Sequence, residues 1–327
     1  MKFVKFSIIY ALGLIATLVL SGCGQSKFLS EVLKSTAGIT SGDILIVSGG
    51  TSLRTVAPYP LHQIADFYSD GTFKSLIRVA SSTELMMGMA LASDPTELLY
   101  TIDTTDRVEK LSLASPTLIQ NHIIDANLNG TTLRAIASLS DGGTIVAEST
   151  TSIEKYDGSS TPVRVTTNFP IVLTANIMKL RKISGNRFAA ITTGGAPDSP
   201  RIYNNDGTLA TTIALGLSCT TNCDPSDILE LSDGRFLVAI QAVALNSIEM
   251  YSANFTYIGR FFSDPTILQG ISALTQMTDG TVLACNTTFN TCEKIQIMGN
   301  SGVRVGSHAF IDAASVMRQP TDALVAP

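Results

Sequence analysis

Apolar positions are distributed along the chain in two different ways. At the start, Lys2 and Lys5 precede an apolar run over residues 6–20 that is broken only by Ser7 and Thr17. A positive start, a short apolar stretch and the small residues Ser21 and Gly22 form the pattern of an export signal. A spanning helix needs about 20 apolar residues, and this run is shorter. Beyond residue 42 the apolar residues come instead in short runs rich in Val, Ile, Thr and Tyr, each bounded by Gly, Asp, Asn or Pro. That punctuation predicts β-strands joined by tight turns, with few stretches of helical periodicity.

The short runs repeat. Leu231-Ser232-Asp233-Gly234 and Met277-Thr278-Asp279-Gly280 each sit between two apolar runs, as do Leu139-Ser140-Asp141-Gly142, Ile183-Ser184-Gly185-Asn186 and a weaker copy at Ser93-Asp94. The turn positions Asp94, Asp141, Asn186, Asp233 and Asp279 recur about every 46 residues, within the range of propeller repeats. Each copy is followed by two more strand-like segments, such as residues 248–251 and 257–261, which gives four antiparallel strands per repeat. Asp70-Gly71, Asp157-Gly158 and Asp206-Gly207 supply the positive φ that the hairpins between third and fourth strands require. The two ends of the repeated region are complementary. Residues 43–48, 62–68 and 72–79 resemble second, third and fourth strands that lack a first, whereas residues 321–326 resemble a first strand with nothing after it. Together they complete one blade. The prediction is an all-β, six-bladed propeller closed by pairing of the last strand with the first blade, and the complementary ends argue against a β-sandwich pair or an open solenoid.

The four residues Leu20-Ser21-Gly22-Cys23 resemble the lipobox of bacterial lipoproteins. That resemblance implies cleavage before Cys23, a diacylglyceryl group on its sulfur, and a membrane anchor of two or more acyl chains. Each buried methylene of such an anchor contributes roughly 0.8 kcal/mol. The alternative is a cysteine that merely lies near an ordinary cleavage site. Gly24 in place of aspartate implies sorting to the outer membrane of a Gram-negative host. Residues 1–22 then read as signal peptide, 23–42 as lipidated cysteine and tether, and 43–327 as propeller.

The other four cysteines fall in two close pairs, Cys219 with Cys223 and Cys285 with Cys292. In an oxidising compartment locally paired cysteines favour disulfides, while a zinc site would need all four thiolates together and no histidine lies near either pair. Short loops closed this way gain local rigidity more than global stability. The three histidines, His62, His122 and His308, fall on third or fourth strands away from the axis and read as surface or rim residues. The net charge of −5 and the lack of a basic patch exclude nucleic acid as a natural partner.

The blade pattern resembles the broad superfamily of NHL-repeat, lactonase-like and TolB-like propellers over residues 43–327. It is a resemblance of period and turn chemistry, and one fold of this kind carries many functions. Similarity to calcium-dependent lactonases would imply Glu, Asn and Asp ligands on the central channel. Glu84, Glu230, Asn176 and Gln276 are the available donors there, without the fixed spacing of a motif. No nucleophile elbow or phosphate-binding loop is present. No metal, cofactor or catalytic residue is therefore assigned. Length variation falls in the second-to-third and fourth-to-first connections, which share one face of the ring, and variable loops on a rigid scaffold are where recognition sits. Arg54, Tyr59, Phe169, Asp198 and Phe289 are the candidate contacts on that face. Both cysteine pairs lie near it, where they would preorganise loops for binding or shield them from proteolysis. The reading is a lipid-anchored, noncatalytic module binding an envelope protein or small ligand; the alternative is a metal-dependent lactonase-like or other hydrolytic enzyme.

Overall fold

The computed structural model describes residues 38–49, 62–79, 84–116, 119–124, 133–148, 151–194, 198–216, 223–241, 246–312 and 319–327. The signal segment, Cys23, the start of the tether, Arg54, Tyr59 and Cys219 lie outside these residues. The described strands form six antiparallel sheets, and the fold is a six-bladed β-propeller. From blade 1 to blade 6 the innermost strands are Pro320–Val325, Met86–Leu91, Ala135–Ser138, Asn176–Ile183, Asp224–Glu230 and Ile271–Gln276. A single 3-10 turn, Asp103–Thr105, is the helical element among the described residues.

Blade 1 closes the ring as the complementary ends predict. Its second strand, Ile44–Ser48, pairs with Pro320–Val325, with Leu45 opposite Leu324 and Val47 opposite Asp322. Gly42 N–H donates to the Ala326 carbonyl and Ala326 N–H to the Asp43 carbonyl, which extends the seam by a further step.

The near-continuous apolar character of the strands has a direct cause, since each blade is packed on both faces. Successive side chains point to opposite faces of a sheet. In blade 1, Ile44 and Ile46 join the apolar layer shared with blade 6, while Leu45 and Val47 join the layer shared with blade 2. In blade 4, Phe188 and Ala190 face blade 3 while Ala189 and Ile191 face blade 5. Six such layers, one at each junction, make up the core.

The turns between first and second strands use the predicted chemistry. Gly142, Gly234 and Gly280 take φ of 86°, 84° and 82°, conformations that side chains on L-residues resist. The preceding Asp accepts a hydrogen bond from the backbone N–H two residues on, at 3.0 Å for Asp141 to Gly143, Asp233 to Arg235 and Asp279 to Thr281. Such turns define one face of the ring, hereafter the hairpin face. The long connections define the opposite loop face.

Two expectations are corrected. His62 is buried, not on the rim: it opens the third strand of blade 1, Gln63–Phe67, at φ 67°, which tucks its ring beneath Gly49. Phe169 is not an exposed loop residue. The outer strand of blade 3 is broken into Arg164–Val165 and Ile171–Val172, and the excursion between them drives the Phe169 ring into the layer between blades 3 and 4. It stands against Gly207 in the third-to-fourth turn of blade 4, toward the hairpin face.

Candidate functional site

The axis of the ring is closed by a network of four charged side chains. Lys179 and Arg181 lie two apart on the innermost strand of blade 4 and so share a direction. Arg181 makes a bidentate pair with Asp227 of blade 5, Nε to Oδ1 at 2.8 Å and Nη2 to Oδ2 at 2.6 Å. The same Nη2 reaches Asp322 of blade 1 at 2.6 Å, and Lys179 Nζ lies 3.0 Å from that carboxylate. Blades 1 and 4 are opposite each other, so these pairs span the channel.

The backbone holds both carboxylates in place. Asp227 accepts from Ile228 N–H and from Leu274 N–H of blade 6, each at 2.8 Å. Asp322 accepts from Ala323 N–H at 3.0 Å and from Met89 N–H of blade 2 at 3.1 Å. Lys179 also donates to the Thr321 carbonyl. The innermost strands of blades 4, 5 and 1 carry a register shift here, between Ile177 and Lys179, Pro225 and Asp227, and Pro320 and Asp322, which turns the residue after each bulge toward the axis. Burial lowers the Lys179 pKa despite Asp322. Burial alone would raise Asp322, but Arg181 and then Lys179 hold it below the ordinary carboxylate value.

The donors named from sequence for a channel metal do not converge. Asn176 begins the innermost strand of blade 4 at the loop face, whereas Glu230 and Gln276 end theirs at the hairpin face. Glu230 accepts from Ser184 N–H at 2.6 Å, and Gln276 Oε1 from Ser232 N–H at 2.8 Å, so each caps the first turn of the preceding blade. Glu84 is held by Arg78 at 3.2 Å and Arg107 at 2.6 Å, beside Glu109. Among the described residues no group of three His, Cys, Asp or Glu is placed to hold a metal ion. The described residues do not assemble a lactonase-like calcium site from these donors.

On the loop face, blades 5 and 6 present a braced platform. Cys285 and Cys292 are directly paired across the second and third strands of blade 6 and joined by a disulfide, which lies fully buried in the layer against blade 1. Above it the turn at residues 287–290 is tied to the neighbouring loop: Thr287 N–H donates to the Gly270 carbonyl at 3.0 Å. Gly270 has φ 66°, and a Cβ there would meet Thr287 Oγ1 at 2.6 Å, so only glycine permits this contact. Asn286 accepts from Phe289 N–H at 2.9 Å and donates to the Ile267 carbonyl at 3.2 Å. Asn290 accepts from Gln319 N–H at 2.7 Å. Phe289, at the tip, is 38% exposed.

Asp198 lies on the same face in the second-to-third connection of blade 4. It hydrogen-bonds Asp224 at the start of blade 5; burial, and next this neighbour, raises the Asp224 pKa. The adjacent Cys223 is disulfide-bonded and buried. Of the five contacts named from sequence, the structure therefore places Phe289 and Asp198 on the loop face and Phe169 in the core.

Sequence reasoning missed a further set. The third strands of four blades carry a buried glutamate after an apolar residue: Val108-Glu109, Ile153-Glu154, Ile248-Glu249 and Cys292-Glu293. Each meets an arginine, with Arg107, Arg164, Arg260 and Arg304 at 2.7, 2.7, 3.5 and 2.7 Å. In blades 3, 5 and 6 these pairs tie the third strand to the outer strand, whereas Arg107 shares a strand with Glu109; all four are structural.

No protein-family model matches the sequence, and no curated protein matches it. Solved structures share the fold. A chain of the nidogen/laminin complex aligns with a TM-score of 0.59 at 11% identity, covering 87% of this chain and 98% of that one. A protein of unknown function from Bacteroides caccae aligns at 0.58 and 14%, covering 87% and 98%. A catalytically inactive virginiamycin B lyase from Staphylococcus aureus, with quinupristin, aligns at 0.52 and 14%, covering 70% and 73%.

Proposed function

We propose that this chain is a lipid-anchored, noncatalytic binding module of the cell envelope that recognises an envelope protein through the loop face. The observation that carries the reading is Phe289: an exposed aromatic on a turn fixed from below by a buried disulfide and from the side by the 264–270 loop. A large side chain held still before binding loses little entropy when a partner covers it, which is how a contact residue contributes affinity. The channel supports the same reading, because Asp227, Asp322, Lys179 and Arg181 are committed to one another and to backbone groups. The neighbour from the nidogen/laminin complex is a ring of this kind within a protein complex.

The anchor is Cys23 and the destination the outer membrane, on the strength of Leu20-Ser21-Gly22-Cys23 followed by Gly24. Two measurements test the proposal. A photo-reactive residue at position 289 is expected to yield a discrete protein adduct in whole cells, while one at Asp206, in a hairpin-face turn, yields none. Equal labelling at both positions, or none at 289, sinks the loop-face reading. Cys23→Ala is expected to abolish incorporation of labelled palmitate and shift the chain to the soluble fraction; retention of label excludes the anchor.

A further inference from the structure

The hairpin-face mouth of the channel contains a hollow on the opposite side of the ring from the loop face, bounded below by Arg181 of the charge network. Its volume is about 230 Å³, and Met89, Leu91, Ile136, Leu180 and Leu324 form its apolar wall, with contributions from blades 1 to 4. Ser138, Arg181 and Lys182 are its polar members.

The hollow has a local cause. Ser138, Glu230 and Gln276 hold the same place in the repeat, the last residue of the innermost strand before the Asp-containing turn. Glu230 and Gln276 reach across and cap the preceding blade's turn. In blade 3 that place is taken by serine, whose side chain is too short to reach across, and space is left. The Ser138 hydroxyl is buried, at 4% residue exposure, and makes no hydrogen bond. A buried hydroxyl without a hydrogen bond has lost water and gained nothing in return, so this atom is a standing demand for a partner.

The charges around it set the kind of partner. Arg181 forms the floor and is neutralised by Asp227 and Asp322. Lys182 is exposed at the mouth and has no ion pair among the described residues. No carboxylate lines the hollow. We infer that it is a binding site for a small amphipathic monocarboxylate, whose apolar body lies on the Met89, Ile136, Leu180 and Leu324 wall. Its carboxylate accepts from the Ser138 hydroxyl and faces the Lys182 ammonium. This site is on the opposite face from Phe289 and does not depend on the loop-face proposal.

The test is calorimetric titration of the purified full chain with hexanoate, hexan-1-ol and hexylammonium. Saturable one-site binding of hexanoate is expected, with hexanol about tenfold weaker and no binding of hexylammonium. Ser138→Ala should weaken hexanoate by roughly ten- to hundredfold, the range of one hydrogen bond to a charged group, and Lys182→Gln by about two- to fivefold, the range of an exposed ion pair. Ala90→Leu, which projects into the hollow from a half-buried position, should abolish binding. Lys182 is exposed, so a loss at that position is not a loss of fold. No saturable hexanoate binding, equal binding of hexylammonium, or unchanged affinity in Lys182→Gln and Ala90→Leu overturns the assignment.

Discussion

Two aromatic residues of similar sequence context have opposite fates. Phe169 is buried between blades 3 and 4, with the Lys155 ammonium 5.9 Å from its ring, whereas Phe289 faces solvent. Phe169→Ala should therefore cost about 3–5 kcal/mol, the usual cost of emptying an aromatic site, while Phe289→Ala should stay within about 0.5 kcal/mol. Urea denaturation of the two variants checks this, and equal midpoints would refute the placement. The sequence shows both as lone aromatics between strands and does not distinguish them, because what decides is an outer strand broken by packing on the next blade. Asp66 shows a second effect invisible locally. Burial, and next the neighbouring Asp43, raises its pKa to about 6 although Lys74 lies 3.2 Å away. A folded-state pKa above the unfolded one means that the wild type loses stability as pH rises from about 4 to 6. Asp66→Asn carries no such loss, so relative to wild type it should gain stability across that window. A difference that stays constant from pH 4 to 7 would show that Asp66 is not held protonated.

The strand-turn-strand unit was legible because its signals are local. An apolar run, an Asp-Gly pair and a second run determine a hairpin through positive φ and a carboxylate that accepts from the N–H two residues on, with no help from the rest of the ring. The third-strand glutamates were legible too, in principle: Ile153-Glu154 and Ile248-Glu249 repeat at a fixed place, and an arginine follows in the next strand. The channel network was not. Lys179 and Arg181 share a strand, but Asp227 comes from the next blade and Asp322 meets them only once the circle is complete. The outer-strand break is also a recurring device. In blade 6 the outer strand splits into Ser301–Arg304 and Ile311–Asp312, and Phe310 stands against Gly71 of blade 1 as Phe169 stands against Gly207. Lys294 pairs with Asp279 at 2.6 Å under the Phe310 ring, as Lys155 pairs with Asp141 at 2.6 Å. Through Lys294 and the Thr281 hydrogen bonds, Asp279 is held at about 2 against the burial that would raise it. A depressed carboxylate stabilises above its ordinary range and loses that contribution as pH falls toward 2. Asp279→Asn should therefore be less stable than wild type at pH 6, and the gap should close between pH 4 and 2. A gap that persists at pH 2 would place its origin elsewhere.

The six blades form one ring held at two levels, apolar layers between neighbours and an ionic link across the middle. The link predicts an asymmetry between breaking and replacing it. Asp227→Ala leaves Arg181 with one counter-charge and Leu274 N–H without its acceptor, and should cost about 3–5 kcal/mol. Arg181→Met combined with Asp227→Leu removes both charges together and should recover much of that loss. A double variant no more stable than the Asp227 single would contradict the argument. The innermost strand of blade 1 has a double duty: it supplies the seam to Ile44–Ser48 and, through Asp322, the counter-charge for Lys179 and Arg181. In chain order this strand comes after every other described strand. Without it blade 1 would have a bare edge at Ile44–Ser48 and Lys179 would lack Asp322, while Arg181 would keep Asp227 alone. Ring closure and the link across the middle therefore depend on the same six residues, so neither can be complete while that strand is out of place.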